Sequence, residues 1–162
     1  MDNLYGENTP LEWYYFGLKH KSDNIIKFMT HWFAFNWLYD EMSGRTERDR
    51  IIKFCEEKMN ILAKYDAFSD EAISVFLEYP VKSEKHHMYK YANERFNAVK
   101  NKSISALFET MYMVRCNLFH GSKSMRNSRD VKLVESSAVI LEGYLNVYLK
   151  YLYGKKFEDF DK

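Results

Sequence analysis

Two residues of this sequence, Arg115 and His120, have the types and the spacing best suited to chemistry on an anion. The guanidinium of an arginine is a fixed positive fork that matches phosphate, and an imidazole can exchange a proton near neutral pH. Five residues of α-helix advance about 7.5 Å and turn by about 140°, so the two side chains do not stack on one another. Because arginine is long, both groups can still converge on one anion.

The same pair also has a purely structural interpretation. Arg115 would then pair with a helix-terminal carbonyl or a glutamate, and His120 would only cap the end of its helix. The residues alone leave both interpretations open.

A basic segment follows the pair, with Lys123, Arg126, Arg129 and Lys132 opposed only by Asp130. The formal net charge of the whole chain is +1, so any nucleic acid would have to bind through such a local patch. We predict RNA contacts along this segment, weakened by salt. The alternative is a solvated loop without a ligand.

A polar pair interrupts an aromatic stretch earlier in the chain. Asn36 and Asp40 lie four residues apart, so a helix places them on one face. They are candidates for orienting Arg115 or His120. The structural alternative is a buried Asn36 amide that ties two helices together, and both interpretations place Asn36 near the helix that carries Arg115.

Composition limits the class of protein. At 162 residues with 12 Phe, 13 Tyr and 3 Trp, the chain can bury one bulky core, which predicts a single domain over residues 1–162. There is no run of the ~20 apolar residues that span a bilayer, and residues 1–10 do not resemble a secretion signal. Two cysteines, Cys55 and Cys116, fit reduced thiols in the cytoplasm. His86 and His87 lack further ligands at metal-binding spacing, so we predict no metal and no cofactor.

Sparse proline and glycine and the spacing of apolar residues predict an all-α bundle of about five to seven helices. Residues 83–102 are polar and predict a loosely packed helix or a connector. The remaining predicted helices are Thr9 to Lys19 with a Thr9/Glu12 capping box, a central buried helix from Asp23 to Met42 after Ser22, a helix capped by Thr46, one from Ser69 to Leu77, one from Ser103 to a Gly121 C′ residue, and a long one from Ser128.

The long last helix has two apolar stripes. One is the series Val134, Ala138, Leu141, Leu145, Tyr148 and Leu152; the other is Leu133, Ile140, Tyr144, Val147 and Tyr151. Either one stripe serves a partner chain, or the helix is sandwiched within its own core.

The segment Arg115-Cys116-Asn117-Leu118-Phe119-His120-Gly121, near the end of a penultimate helix, resembles the Arg-x4–6-His signature of the HEPN superfamily. The aromatic stretch Phe35-Asn36-Trp37-Leu38-Tyr39 is similar to a core helix of several members. The resemblance implies a small helical bundle, often a homodimer with a composite site, from toxin–antitoxin, phage-defence or CRISPR-associated systems.

The resemblance also implies metal-independent cleavage of RNA through attack by the 2′-hydroxyl, with Arg115 and His120 as the reacting groups. Many members have a polar residue directly after the arginine; here Cys116 stands there, and Asn117 is the candidate for the supporting role. Ser122 stands where one toxin branch has a tyrosine. The implied partners are RNA, a second copy and an antitoxin or effector protein. A non-catalytic module of the same fold, binding a nucleotide or RNA or serving in assembly, is the alternative.

Overall fold

The computed structural model of the chain describes residues 6–82, 89–120, 124 and 126–162, with the backbone alone for residues 89 and 90. Within these ranges the chain is helical and contains no strand, which confirms the predicted all-α class. The helices are α1 (Thr9–Lys19), α2 (Asn24–Tyr39), α3 (Glu47–Glu57), α4 (Met59–Leu62), α5 (Ser74–Glu78), α6 (Tyr89–Lys100), α7 (Ile104–Phe119), α8 (Ser128–Tyr153) and α9 (Lys155–Asp159).

The 26-residue helix α8 runs through the bundle and packs against α2 and, more lightly, against α1, α4, α5 and α7. Helix α1 pairs with α2, and α7 packs against both α3 and α6. The buried side chains of these helices form one hydrophobic cluster. No helix in the described ranges is long and apolar enough to cross a membrane.

Helix α2 is buried around most of its circumference, as predicted, but one strip of it is exposed. Trp32 and Phe35 are about 1% exposed, whereas Phe33 and Trp37 are each 40% exposed. The buried rings meet α7, where Trp32 stacks on Tyr112 with centroids 6.2 Å apart. This contact fixes the position of the motif helix relative to α2.

Helix α8 is mostly sandwiched in its own core, which decides between the two interpretations of its stripes. Leu133, Ile140 and Tyr144, from the stripe that could have served a partner, are at most 1% exposed. Of the residues in the two stripes, only the C-terminal Tyr151 and Leu152 are exposed, at 58% and 44%. The second stripe is therefore not a free surface over most of the helix.

Candidate functional site

Arg115 points towards the first turn of α3. Its Nη1 atom lies 3.3 Å from Oε2 of Glu47, and 22% of the Arg115 side chain and 24% of the Glu47 side chain are exposed. Nη1 also lies 3.9 Å from Sγ of Cys116. The contact with a glutamate matches the structural interpretation of Arg115, and the pair is sheltered enough to hold the guanidinium in one orientation.

Three aromatic rings surround the same guanidinium. Its carbon lies 4.8 Å from the ring centroid of Phe119, 5.8 Å from that of Tyr112 and 5.9 Å from that of Trp32. Such contacts attract a cation to the ring faces. Among the described residues, the buried Nε atom of Arg115 has no hydrogen-bond partner. Arg115 is thus held by packing and by one carboxylate.

Glu47 is the centre of this arrangement, and nothing in the sequence pointed to it. Its Oε1 accepts a hydrogen bond from the Tyr39 hydroxyl at 2.5 Å, and its Oε2 accepts one from the Tyr112 hydroxyl at 3.3 Å. Burial, and next Glu47 itself, raise the pKa of Tyr39, so this hydroxyl keeps its proton. Burial likewise raises the pKa of Tyr112. Both tyrosines therefore remain donors to the carboxylate.

His120 occupies the C-cap of α7. Its backbone N–H donates to the carbonyl of Cys116 at 3.0 Å, and its side chain is exposed. Across the described ranges, the structure shows neither a hydrogen bond nor an ion pair between His120 and Arg115. The two motif residues thus share one helix end but differ in their surroundings, one held and one open to solvent.

Asn117 lies on the buried side of α7, at 3% exposure. Its Nδ2 donates to the backbone carbonyl of Lys82 at 2.8 Å. This hydrogen bond attaches the segment after α5 to the end of the motif helix. Asn117 therefore has a structural contact, whereas its predicted supporting role in chemistry stays a prediction.

Asn36 and Asp40 lie at the C-terminal end of α2, Asn36 half-buried and Asp40 exposed. The Asp40 backbone N–H donates to the Asn36 carbonyl at 3.0 Å. For the described residues, no side-chain hydrogen bond joins either of them to Arg115 or His120. Their predicted orienting role stays a prediction.

Only part of the basic segment is exposed to solvent. Arg126 and Lys132 are exposed, but Arg129 is half-buried, donates through Nη2 to the carbonyl of Tyr79 at 2.9 Å and lies 5.5 Å from the centroid of the Tyr79 ring. Arg129 is thus engaged in holding the end of the α5 segment against α8. Lys123 lies outside the described residues, as do Gly121 and Ser122.

No group of three or more metal-ligating side chains occurs in the part of the chain that the structure describes, which does not include His86 and His87. Cys55 and Cys116 are both free thiols. Cys55 is buried, and burial raises the pKa of its thiol, so it is a core residue without reactive character.

No family model, curated protein or solved structure matches the chain. The contacts of Arg115 and His120 are therefore the observations that bear on function.

Proposed function

We propose that the protein is a metal-independent endoribonuclease that works as a HEPN-like homodimer, with Arg115 and His120 as the reacting groups. The observation that carries the proposal is the contrast between these two residues. Arg115 is held by Glu47 and three rings, and His120 is exposed just beyond it, at the end of the same helix. A fixed charge beside an accessible proton carrier suits catalysis by a preorganised site.

In the proposed reaction, the 2′-oxygen of a ribose attacks the adjacent phosphorus, and the bond from phosphorus to the 5′-oxygen breaks. The proton of the 2′-hydroxyl passes to a base, and the departing 5′-oxygen receives a proton from an acid. The products are a 2′,3′-cyclic phosphate and a free 5′-hydroxyl. His120 moves one of these protons, and Arg115 stabilises the charge on the phosphorane oxygens.

A second copy of the chain would supply the other proton carrier. One chain brings one His120, whereas a two-fold axis that places two α7 ends together brings two, so that acid and base can be separate groups. Mixing the wild type with an inactive His120→Ala chain should then lower the rate per wild-type chain as mixed dimers form. An unchanged rate per wild-type chain would indicate that a single chain forms the active site by itself.

The nuclease is tested by incubating purified protein with labelled RNA in EDTA. His120→Ala is the informative variant because Arg115 also supports the fold through Glu47. His20→Ala is the matched control, since His20 occupies the C-cap of α1 as His120 does that of α7. We expect cleavage by the wild type and by His20→Ala, and loss of about 10²-fold or more in His120→Ala. Equal rates in all three would remove His120 from the mechanism.

The contacts of Arg115 and Asn117 also favour a second candidate, a non-catalytic module that binds RNA or a protein. Both side chains serve the fold, one through Glu47 and one through the carbonyl of Lys82. Such a module would be tolerated on overexpression and would bind RNA without cutting it. An antitoxin or effector as partner, a place in phage defence and a cytoplasmic location belong to the proposal in either form.

A further inference from the structure

A pocket of about 210 Å³ lies between α3, α6 and the start of α7. It is separate from the contacts around Arg115 described above. The polar residues that matter for its chemistry are Arg48, Arg95, Ser103, Ser105 and Glu109, with Tyr91 beside them.

Two guanidiniums converge on a single carboxylate oxygen in this pocket. Oε2 of Glu109 lies 3.2 Å from both Nε and Nη2 of Arg48 and 3.8 Å from Nη1 of Arg95. Burial lowers the pKa of Arg95, the charge of Glu109 opposes this in part, and the charge of Arg48 acts in the same direction as burial. Arg48, Arg95 and Glu109 together carry a net charge of +1, which the exposed Glu94 at the same pocket balances.

Arg95 is the most enclosed charged residue of the pocket. Its side chain is 9% exposed, and Nη2 donates to the carbonyl of Val81 at 3.2 Å. At 3.8 Å, the contact between Nη1 and Glu109 is too long for a hydrogen bond. Among the described residues, no hydrogen bond engages Nη1 of Arg95, so this nitrogen can donate to a ligand in the pocket.

Further donors lie next to Arg95. The hydroxyls of Ser103 and Ser105 are 3.3 Å apart. Ser103 is the N-cap of α7, and its hydroxyl already accepts the backbone N–H of Ala106 at 3.2 Å. Of the first backbone N–H groups of the helix, those of Ile104 and Ser105 have no partner within it. Two arginines, two hydroxyls and these amides form a donor set suited to a phosphate.

The first turn of α3 links this pocket to the motif. Glu47 contacts Arg115, and the next residue, Arg48, contacts Glu109. Glu109 and Arg115 are six residues apart on α7, which is about 9 Å along the helix axis and about 240° around it. The two side chains therefore leave α7 on different sides, and the first turn of α3, which contacts both, connects the pocket with the motif arginine.

We propose that this pocket is a phosphate subsite that holds a phosphodiester of single-stranded RNA flanking the bond to be cut. The proposal rests on the nuclease function proposed above. Tyr91, which is 47% exposed at the pocket, provides a ring on which a base stacks. Glu94 also lines the pocket. Because Glu94 is exposed to solvent, its negative charge weakens the binding of a phosphate but does not prevent it.

The probe is a fluorescein-labelled hexanucleotide of 2′-O-methyl RNA, which cannot be cut because it lacks the attacking hydroxyl. Its Kd is measured over a range of salt concentrations, with inorganic phosphate as a competitor. We expect Arg95→Gln to weaken binding about tenfold and to reduce the salt slope by about 0.7, the value for one phosphate contact on a single strand. Glu94→Gln removes a negative charge from the pocket and should tighten binding. Lys156→Gln is the control for Arg95→Gln: it removes one positive charge at an exposed position outside the pocket and should leave the Kd almost unchanged.

Arg48→Gln and Tyr91→Ala carry the test if Arg95→Gln does not fold, because both residues are about half exposed. Wild-type affinity in the folded variants of Arg48, Tyr91 and Arg95 would overturn the subsite. Strong competition by inorganic phosphate without Arg95-dependent binding of the strand would also overturn it and indicate a site for free phosphate.

The two proposals fail in different ways. A wild type that binds the probe through Arg95 but does not cut unmodified RNA removes the nuclease and leaves the subsite. A wild type that cuts RNA, while Arg95→Gln binds the probe normally, removes the subsite and leaves the nuclease.

Discussion

The Nη1 atom of Arg115 lies 3.3 Å from Oε2 of Glu47, although the two residues are 68 positions apart in the chain. The same carboxylate accepts hydrogen bonds from Tyr39 and Tyr112. One side chain of α3 therefore joins α2 and α7 and holds the motif arginine.

Removing this carboxylate should destabilise the fold. Glu47→Ala leaves a sheltered guanidinium and two tyrosine hydroxyls without their acceptor, which we expect to cost about 2–3 kcal/mol in the free energy of unfolding. Glu47→Gln keeps an acceptor and should cost less. Urea denaturation measures both, with the exposed Glu41→Gln as control. Equal stability of Glu47→Ala and the wild type would show that the pair does not hold α7.

Stability should fall in mildly acidic solution because His31 is fully buried. Burial lowers the pKa of His31 from its ordinary 6.5, and Glu142, 3.8 Å from Nε2, offsets this only in part. The unfolded chain therefore binds the proton more readily. The contribution of His31 to the free energy of unfolding should be at its maximum above about pH 6.5. Below that pH it should decrease by at most about 1.4 kcal/mol per pH unit.

The variant His31→Gln separates this group from the carboxylates. It should be less stable than the wild type at pH 7 but should lose less stability between pH 6.5 and pH 5. Chemical denaturation at several pH values gives the slope. If both proteins show the same slope, His31 is not the group that titrates.

Gly143 allows Tyr65 to lie directly against α8. A Cβ at this position would overlap the Tyr65 ring, whose hydroxyl donates to Asp70 at 2.9 Å. Alanine normally favours a helix over glycine by about 1 kcal/mol, yet Gly143→Ala should lower the melting temperature because overpacking costs about 1–3 kcal/mol. Gly6→Ala is the control, since no atom of the described residues lies within 4 Å of its added Cβ. A melting temperature raised by Gly143→Ala would show that Tyr65 moves away without cost.

Asn117 should stabilise the end of the motif helix through the carbonyl of Lys82. Asn117→Ala should cost about 1–3 kcal/mol and raise the rate of backbone hydrogen exchange at the end of α7. Asn97→Ala, an exposed asparagine on α6, controls for the helix preference of the new residue. Unchanged exchange in Asn117→Ala would mean that the hydrogen bond does not restrain this end.

Local signals predicted much of the fold. Thr46 caps α3, as predicted, and Asp49 completes a capping box with it. Ser103 caps α7 at the predicted start of that helix. The start of α2 was displaced by one residue, because Asp23 rather than Ser22 caps it, whereas α8 begins at Ser128 as predicted, with Asn127 as its N-cap. Neighbouring polar residues can each serve as the N-cap of a helix, and the path of the backbone determines which of them does.

Two local predictions were wrong for physical reasons. Thr9 lies inside α1, whose N-cap Asn8 makes no side-chain capping bond, so the predicted Thr9/Glu12 capping box is absent. The helix predicted from Ser69 to Leu77 is broken into 3-10 turns at Ala67–Ser69 and Glu71–Ile73 before α5, because Asp70 caps the second turn instead. Polar residues that offer the backbone local hydrogen bonds interrupt such short helices.

The candidate site was predictable only as far as one helix extends. Arg115 and His120 could be placed at the end of α7 from spacing, whereas Glu47 could not be identified because it reaches Arg115 through tertiary packing. In the sequence, Glu47 follows the cap Thr46 and is a typical first-turn acid. The hydrogen bond from Arg129 to the carbonyl of Tyr79 could not be predicted either, because it too depends on tertiary packing.

The most direct test of the account is the chemical identity of the new RNA ends formed in EDTA under single-turnover conditions, determined by mass spectrometry. For the wild type we predict a 2′,3′-cyclic phosphate and a 5′-hydroxyl. The rate should fall about 10²-fold or more in a folded His120→Ala. New ends formed at the wild-type rate by His120→Ala, or ends carrying a 5′-phosphate, would contradict a reaction in which His120 moves a proton during attack by the 2′-hydroxyl.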